Sequence, residues 1–534
     1  MDLDQMKRSV FCSNRIRTIV MKEEIVCTVP QCTCDSPVVL NHVLELFALL
    51  YSFFDNTNLL DVETLRWTNS EQAEQVHAQV QESWNQHLPS DQELYQEKAW
   101  TALMEETKQF VQELVDSSDS KQVLLFRLFS LLQIMDRHLV LLRDRLMIQV
   151  ESWETFPFST IYGDVLPKRH SVLLEALKLQ KLYKHAIDPN YLLLCNRIHS
   201  FHVAQSYYSY YEVEHRFQRL THFDVNSILD LSIGFLPGKW EVQSDYKLET
   251  DESPGDDDLL PFSFSRAMRP AEYNDRVKQQ FEALLEKVPD VMILPELFTP
   301  PDLRETLIAS FNEKKKQMRG SSYSGTVLFL TGSFHEAIEG KLYNRAKVIA
   351  ASGKLLADVR KMNRFILYSK RGFEGELAPF REIHGVERNA YDERKIMLFD
   401  TAWGRIAFFI CIDFLIDPIA HILVDRCVDI IFVMAMTPNP AGGKFIRRMQ
   451  ELAERNGAAV IVCNHFGKKE ADRSKEEVEA RIVVSLPGYR DVFLRADEWG
   501  VYSIRDVLTE LQRMQDEWDT RRKAQGGQGS VDTS

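Results

Sequence analysis

Hydrophobic and polar positions follow different patterns in the two halves of the chain. From about Val38 to Arg219, apolar residues recur mainly three and four positions apart with charges between them, which is the spacing of amphipathic helices. Because no inward-facing Glu-x-x-His pair is apparent, we interpret the apolar stripes as the core of a helical bundle and not as a cofactor site. The clearest stripe comprises Val123, Phe126, Leu128, Leu131, Leu132, Met135, Leu139, Leu142 and Leu146.

After about Asp224 the pattern changes to short apolar runs separated by helical segments. Such alternation predicts α/β layers, in which helices cover the sheets. The runs at 430–436 and 459–463 are apolar throughout, as in strands that are buried on both faces. The predicted strands are 228–236, 291–294, 326–331, 346–350, 395–399, 406–412, 429–436, 459–463, 481–486 and 492–495, and the predicted helices are 271–287, 302–317, 441–456 and 504–522.

These patterns divide the chain into three parts. We predict a helical N-terminal domain at residues 1–222, an α/β domain at 223–522 and a disordered tail at 523–534, where Gly, Gln and Ser dominate. Within the second domain, the acidic segment 249–258 is predicted to be a solvated loop, because it is rich in charges and in turn residues.

Composition is typical of a globular protein. Hydrophobic residues make up 45% and charged residues 27%, which excludes a disordered or membrane-embedded class. The formal net charge of −14 argues against a uniformly basic nucleic-acid binder. The most apolar segment, 122–150, contains several Arg and Asp residues and therefore does not predict a membrane span.

The N-terminus and the cysteines indicate the compartment. Residues 1–20 lack the uninterrupted apolar stretch of a secretory signal. The chain has 8 cysteines, too few and too scattered for a secreted disulfide scaffold of this length. We therefore expect a reduced, cytoplasmic protein that does not bind membranes.

Three polar residues follow apolar strands of the second domain, where α/β sheets place their functional sites. Glu296 ends the segment that begins at Val291, Lys361 comes just beyond another strand, and Cys411 lies near the end of the run at 406–412. Each residue alone has an ordinary structural explanation, since a glutamate can cap a helix, a lysine can be solvated and a cysteine can fill a core.

Taken together, the motifs resemble the nitrilase or carbon–nitrogen hydrolase superfamily over about residues 225–522. The order of later elements, through the segments 464–467 and 500–505, is also similar to that family. The motifs that carry the resemblance are Leu294-Pro295-Glu296, Tyr343-Asn344-Arg345-Ala346, Gly353-Lys354, Arg360-Lys361 and Gly404-Arg405-Ile406 continuing to Cys411-Ile412-Asp413.

The resemblance implies a fold and a chemistry. The fold would be a four-layer α-β-β-α sandwich, preceded here by the mostly α-helical N-terminal domain. Cys411 would be the nucleophile and Glu296 the general base, while Lys361 and the backbone N–H of Ile412 would stabilise the oxyanion. Burial would raise the proton affinity of the carboxyl group, and the ammonium group would favour a thiolate. This chemistry needs no metal and no organic cofactor.

Two details of the predicted site stay open. Family members commonly use a second glutamate to orient the lysine; Glu374 and Glu376 are the candidates, and we favour Glu374. The segment 436–440 is either part of the pocket or an ordinary turn. The polar run at 468–479 departs from the shorter loop expected of the family, which leaves that wall of the site undefined.

Other motifs give weaker signals. Cys12, Cys27, Cys32 and Cys34 could bind zinc, but their spacing favours reduced structural thiols. An aromatic and basic cluster could stack single-stranded nucleic acid, although packing against a neighbouring domain is the simpler interpretation; it comprises Tyr207, Tyr208, Tyr210, Tyr211, His202, His215, Arg216 and Arg219. No phosphate-binding G-x-x-x-x-G-K-[ST] loop occurs.

The sequence therefore favours a thiol hydrolase that cleaves a non-peptide carbon–nitrogen bond in a small amide, ureido compound or nitrile. Transfer of the acyl group to an amine instead of water stays open. The alternative is a nitrilase-like effector or accessory subunit of a multicomponent system, such as an antiviral one, whose helical domain binds a protein or nucleic-acid partner. From the resemblance we also expect a homodimer or a higher homo-oligomer.

Overall fold

A computed structural model of the protein describes residues 43–57, 71–87, 113–118, 120–149, 158–160, 163–167, 173, 176–177, 201–204, 211–217, 228–238, 246–250, 258–317, 328–401, 403–437, 440, 443–465 and 480–526. The chain forms two compact units. The first comprises Met1–His170, Ala186–Ser209 and Phe217–Thr221, and the second comprises Ser171–His185, Tyr210–Arg216 and His222–Ser534.

The first unit combines helices with a small sheet. Helix α3 packs against α1, α2 and strand β3, and most of its side chains from Leu124 to Met135 are buried. Phe129 of α3 meets Phe54 of α1 edge-on, with ring centroids 5.4 Å apart. The elements are α1 (Val43–Thr57), α2 (Glu71–His87), α3 (Lys121–Gln149) and the antiparallel strands β1 (Phe158–Thr160), β2 (Gly163–Pro167) and β3 (Phe201–Ala204).

The helical prediction for this half is confirmed by α1–α3 but is wrong for four strands. Besides β1–β3, residues Glu212–Phe217 form strand β4, which lies at the edge of a sheet built by the second unit. Strand β2 begins at Gly163, which pairs with Thr160 of β1, and ends at Pro167. Proline and glycine disfavour helix interiors, so this segment forms a hairpin despite its apolar spacing.

The second unit is built around two large sheets. The six-stranded sheet has the order β11-β10-β9-β8-β5-β20, and the seven-stranded sheet has the order β19-β18-β17-β16-β15-β14-β4. The strands are β5 (Ser232–Phe235), β8 (Val291–Ile293), β9 (Leu328–Ile338), β10 (Lys341–Ala350), β11 (Leu355–Arg360), β14 (Lys395–Thr401), β15 (Gly404–Ile410), β16 (Ile430–Ala435), β17 (Ala459–Asn464), β18 (Ile482–Ser485), β19 (Phe493–Arg495) and β20 (Gly500–Ser503).

Helices cover the outer faces of these sheets. Helices α4 and α5 bury Phe281 and Phe311 against Phe329 of β9, and α7 packs on β17 and β18. Strand β11 packs on β14 and β15 of the other sheet, which gives the predicted α-β-β-α sandwich. The helices are α4 (Pro270–Glu286), α5 (Pro301–Gln317), α6 (Asp417–Asp425), α7 (Gly443–Asn456) and α8 (Ile504–Gly526).

A third, four-stranded sheet was not predicted. Its order is β12-β13-β7-β6, and its strands are β6 (Tyr246–Thr250), β7 (Leu260–Ala267), β12 (Ile366–Leu367) and β13 (Gly385–Glu387). Strands β6 and β7 form an antiparallel hairpin. The segment 249–258, expected to be entirely loop, therefore begins inside β6, because Tyr246 and Leu248 supply a short apolar alternation. Residues 251–257 lie outside the described residues.

Several sequence predictions fall partly or wholly outside the described residues. Cys12, Cys27, Cys32 and Cys34 do so, as do Tyr207, Tyr208 and Tyr210, whereas Tyr211 borders strand β4 and does not lie in a helix. Helix α8 continues to Gly526, past the predicted start of the tail, and 527–534 are not described. In the part of the chain that the structure describes, no helix is long and apolar enough to cross a membrane.

Candidate active site

Cys411 lies at a sharp turn after a central strand of the seven-stranded sheet. Strand β15 ends at Ile410, two residues before the predicted end of the run at Ile412. Cys411 therefore lies just after the strand, and a 3₁₀ turn runs from Cys411 to Leu415. The backbone φ of Cys411 is 46°, a left-handed conformation that costs an L-residue about 1–2 kcal/mol. This turn places the thiol beside the Glu296 carboxyl group and the backbone of Met436, both of which act on the pKa of the thiol.

Glu296 lies just beyond β8, at a turn that the neighbouring strand β9 holds in place. Ser333 of β9 donates its backbone N–H to Pro295 O at 3.1 Å, and its hydroxyl accepts from Leu297 N at 3.3 Å. Gly332 has a φ of +73°, and a Cβ there would lie 2.7 Å from Pro295 O. Only glycine allows this close approach, so β9 fixes the position of the carboxyl group.

Lys361 follows β11 and is fixed through both its main chain and its side chain. Its backbone N–H donates to Asn344 O at 2.9 Å, and its carbonyl accepts from Asn389 Nδ2 at 2.7 Å. Its ammonium group donates to Glu296 Oε1 at 2.7 Å and to Glu387 Oε2 at 2.5 Å. The structure thus brings together the three predicted principal residues, with the side chains of Lys361 and Glu296 each only 2% exposed.

Glu387, at the end of β13, is the second glutamate against the lysine. Besides Lys361, it accepts hydrogen bonds from Asn344 Nδ2 at 2.8 Å and from His335 Nε2 at 3.0 Å. The side chain that the structure places against Lys361 is thus Glu387 and not Glu374, which we favoured; Glu374 is exposed, and Glu376 accepts from Leu248 N at 3.0 Å. Both candidates belong to the 3₁₀ segment Gly375–Arg381 or to its N-terminal cap.

The sequence held little signal for the residues that surround the lysine. Glu387 follows only two strand residues and lies far along the chain from Lys361. Asn344, although part of a motif we recognised, had no assigned role, and it donates to Glu296 Oε1 at 2.9 Å as well as to Glu387. An amide N–H₂ between two carboxylates is a role that only the folded geometry shows.

The buried charges shift the pKa values of Glu387 and Glu296 in opposite directions. Burial by itself would raise the pKa of Glu387, but the charge of Lys361 and the hydrogen bond from His335 lower that pKa to about 2. For Glu296, burial raises the pKa, Lys361 lowers it and the Glu387 carboxylate raises it, so the net shift is upward. Glu387 is therefore the permanent counter-charge of Lys361, and Glu296 is the carboxyl group that can exchange a proton.

The thiol starts in its neutral form. Burial raises the pKa of Cys411, the nearby Glu296 raises it further, and Lys361 lowers it by less. We expected the ammonium group to favour a thiolate, but the effects of burial and of Glu296 on the pKa of Cys411 outweigh that of Lys361. Cys411 therefore needs a base that accepts its proton as it reacts.

The comparisons with known proteins agree with this geometry. A family model described as carbon–nitrogen hydrolase matches residues 265–483, which include Glu296, Lys361, Glu387 and Cys411. This part of the chain is a nitrilase-like carbon–nitrogen hydrolase domain. Strand β6 and most of β7 precede the matched range, so the hydrolase domain of this chain carries a hairpin upstream of the part that the family model covers.

Solved structures with similarity to the hydrolase domain come from several organisms. Nit3 of Saccharomyces cerevisiae, a member of branch 10 of the nitrilase superfamily, is 13% identical, with 53% of this chain and 93% of that chain covered and a TM-score of 0.32. An amidase from Nesterenkonia sp. is 14% identical, with 52% of this chain and 98% of that chain covered and a TM-score of 0.30. The glutamine-dependent NAD+ synthetase of Acinetobacter baumannii is 17% identical, with 51% of this chain and 44% of that chain covered and a TM-score of 0.31. A comparison with curated proteins found no match.

Asp413 anchors the backbone that follows the lysine in the hydrolase domain. Its carboxyl group accepts from Met362 N at 2.9 Å and from Asn363 N and Nδ2, each at 2.8 Å. Tyr211, next to strand β4, donates to Asn363 Oδ1 at 2.9 Å. Burial raises the pKa of Asp413 to about 7, although its donors act in the opposite direction. The Cys411 turn and the Lys361 segment are thus tied together within two residues of each reactive group.

The segment after β16 contacts the reactive sulfur at its first residue. Met436 makes the backbone contact to Cys411, and Thr437 pairs with the Asn464 side chain through hydrogen bonds of 2.9 and 3.0 Å. The start of this segment therefore borders the cluster of Cys411, Glu296 and Lys361. Pro438 and Asn439, and the polar run 468–479, lie outside the described residues.

Proposed function

We propose that the hydrolase domain cleaves a non-peptide carbon–nitrogen bond of an amide, ureido or nitrile compound through a thioester on Cys411. The observation that carries this proposal is the buried contact set in which Glu296 touches both the Cys411 thiol and the Lys361 ammonium. A nucleophile, its base and a cation within hydrogen-bonding reach are what acyl transfer by a thiol requires.

In the first step with an amide, the sulfur of Cys411 attacks the carbonyl carbon while its proton moves to Glu296. The carbonyl π electrons move to oxygen and form a tetrahedral oxyanion. The C–N bond then breaks, and the leaving nitrogen takes the proton from Glu296 and departs as ammonia or an amine. The raised pKa of Glu296 suits both halves of this exchange, since the group must accept and then return one proton.

The oxyanion needs donors that are in place before it forms. An ammonium group has three N–H bonds, and Lys361 Nζ directs two of them at Glu296 and Glu387, which leaves one for the substrate oxygen. The backbone N–H of Ile412, the second residue of the 3₁₀ turn, is the proposed second donor. Donors of this kind typically contribute about 3–4 kcal/mol each to the transition state.

In the second step, water attacks the thioester and Glu296 accepts its proton. The C–S bond breaks, the acid departs, and the proton returns to the sulfur, so Cys411 regains its thiol. An amine in place of water would give a new amide by the same proton transfers.

Ammonia release tests the proposal. Full-length protein is incubated with small amides, ureido acids and nitriles, and ammonia is followed by a coupled assay. We expect turnover of at least one class, together with acylated protein in samples quenched during turnover. Absence of both ammonia and acylated protein across the panel would contradict the proposed function.

The acid limb of the pH profile is expected to report the coupling between the two glutamates. Because Glu296 must be ionised to act as a base, kcat/KM should rise with pH. It should reach half its maximum at a pH above the ordinary pKa of a glutamate, since the pKa of Glu296 is raised. Glu387→Gln removes a like charge that raises the pKa of Glu296, so this limb moves to lower pH while kcat falls.

Glu374→Gln is the matched control for this experiment. Glu374 is exposed and is not among the main groups that act on Lys361, so its replacement should leave both the acid limb and kcat unchanged within about twofold. The assignment of Glu387 is wrong if the two variants behave alike.

A further inference from the structure

Both catalytic glutamates are connected to the β6–β7 hairpin through a buried histidine. His335, on β9, contacts the Glu387 carboxylate, and His465, just after β17, contacts the backbone of Glu296. The second ring nitrogen of each histidine is bonded to the hairpin. The hairpin also pairs with the strand that carries Glu387, in the register Glu387 opposite Phe262.

The His335 bridge has a defined proton arrangement. Phe264 of β7 donates its backbone N–H to His335 Nδ1 at 3.0 Å, so this nitrogen carries no proton. The proton of the neutral ring is then on Nε2, which donates to Glu387 Oε1 at 3.0 Å. His335 therefore supplies a hydrogen bond to the carboxylate without adding a positive charge to the cluster.

The His465 bridge is arranged in the opposite sense. The carbonyl of Glu296 can only accept, so His465 Nδ1 carries the proton, at 3.3 Å from Glu296 O. The unprotonated Nε2 accepts from the Tyr246 hydroxyl of β6 at 3.0 Å. Burial lowers the pKa of His465 to about 3, so the ring stays neutral. The hydroxyl of Tyr246 thereby orients the His465 ring, and this ring in turn holds the backbone of Glu296.

We propose that the β6–β7 hairpin is a positioning element for catalysis, acting on Glu387 through His335 and on Glu296 through His465. The inference rests on the proposed function for its kinetic consequences, but the geometry itself does not depend on a substrate. Most of the hairpin lies upstream of residues 265–483, so it adds to the part matched by the family model.

Neutral bridges matter because the surrounding cluster is densely charged. The ionisable groups facing the two glutamates are Lys361 after β11, Cys411 after β15, Asp413 in the 3₁₀ turn and Tyr391 after β13. A second cation beside Glu387 would compete with Lys361 for the carboxylate. A neutral donor instead orients Glu387 and leaves the Lys361 pair intact.

Tyr246→Phe tests the His465 bridge, because it removes one hydroxyl and keeps the packed ring. We expect kcat to fall about tenfold, as for loss of a positioning hydrogen bond, with KM unchanged within twofold. The matched control is Tyr343→Phe, whose hydroxyl bonds to Asp392 outside this cluster and whose loss should leave kcat unchanged.

His335→Leu tests the other bridge. Without this hydrogen bond the pKa of Glu387 rises, which weakens the like charge that raises the pKa of Glu296. The acid limb of kcat/KM should then move to lower pH, in the same direction as for Glu387→Gln. His335→Gln, which retains an N–H donor, should recover at least part of kcat and of the limb position.

A second readout needs no substrate. Alkylation of Cys411 by iodoacetamide, followed by mass spectrometry against pH, should change at least threefold at neutral pH in Tyr246→Phe and His335→Leu but not in Tyr343→Phe. Folded variants that match the wild type in both readouts would overturn the proposal. If Cys411 of the wild-type protein is alkylated but no substrate is turned over, only the proposed function is contradicted. The alkylation rates of the variants would then test the role of the hairpin by themselves.

Discussion

Cys411→Ala is expected to lower ammonia release at least about 10⁴-fold, since removal of a catalytic nucleophile costs this much or more. The side chain is buried beside Glu296, and Cys411 is the cysteine that acts on that carboxyl group. Rates are compared as kcat under saturating substrate, with thermal unfolding followed in parallel. The variant should fold, because losing one small sulfur from this site removes little packing.

Cys463→Ala is the control for the general loss of a buried thiol. Cys463 is fully buried in β17, and its sulfur contacts Ile293 O at 3.5 Å, away from the reactive carboxyl group. This variant should retain kcat within a few-fold even if it is less stable. Equal activity of the Cys411→Ala and wild-type proteins would contradict the assignment of the nucleophile.

Lys361→Met is expected to affect both activity and stability. Loss of the oxyanion donor should lower kcat about 10²–10³-fold. The substitution also leaves Glu296 and Glu387 buried without their cation, and breaking a buried ion pair in this way costs about 3–5 kcal/mol. Urea unfolding monitored by far-UV circular dichroism measures the second effect.

The sign of the pH dependence separates this effect from a simple packing defect. In Lys361→Met, burial raises the pKa of both carboxyl groups above their unfolded values, so the folded state binds protons more tightly. The free energy of unfolding that the variant loses relative to the wild type should be smallest below the glutamate pKa of the unfolded chain. This loss should grow as pH rises through the glutamate pKa values of the folded variant.

A double variant provides the matched control for the stability measurement. In Lys361→Met/Glu387→Gln, one of the two unpaired charges is gone, so part of the lost stability should return without any return of activity. A Lys361→Met deficit that is independent of pH, or a double variant as unstable as the single one, would show that the cluster is not an ionised pair.

Local patterns predicted most of the sandwich, and the resemblance to a known family supplied the three side chains that the structure brings together. The apolar runs of β16 and β17 match the structure closely because strands buried on both faces need continuous hydrophobicity. Glu296, Lys361 and Cys411 each follow a strand, where functional side chains of α/β sheets collect, but only the resemblance of their motifs to a known family singled them out.

Features that depend on distant residues were not predictable. Glu387 is the last residue of a three-residue strand that is held by pairing with β7 and β12, and it reaches Lys361 only in the folded chain. The His335 and His465 rings acquire their roles from bonds to Phe264 and Tyr246, which no spacing in the sequence indicates. Strands β1–β3 likewise override an apolar spacing that is typical of helices.

The most direct test of the central claim is the mass of the protein quenched during turnover. Full-length chain mixed with a cleaved amide is acid-quenched and analysed intact and after digestion. We predict a mass increase equal to the acyl group, located on Cys411, labile to hydroxylamine and absent from Cys411→Ala. Continuous ammonia release without any acylated Cys411, at a rate that Cys411→Ala reproduces, would contradict the account.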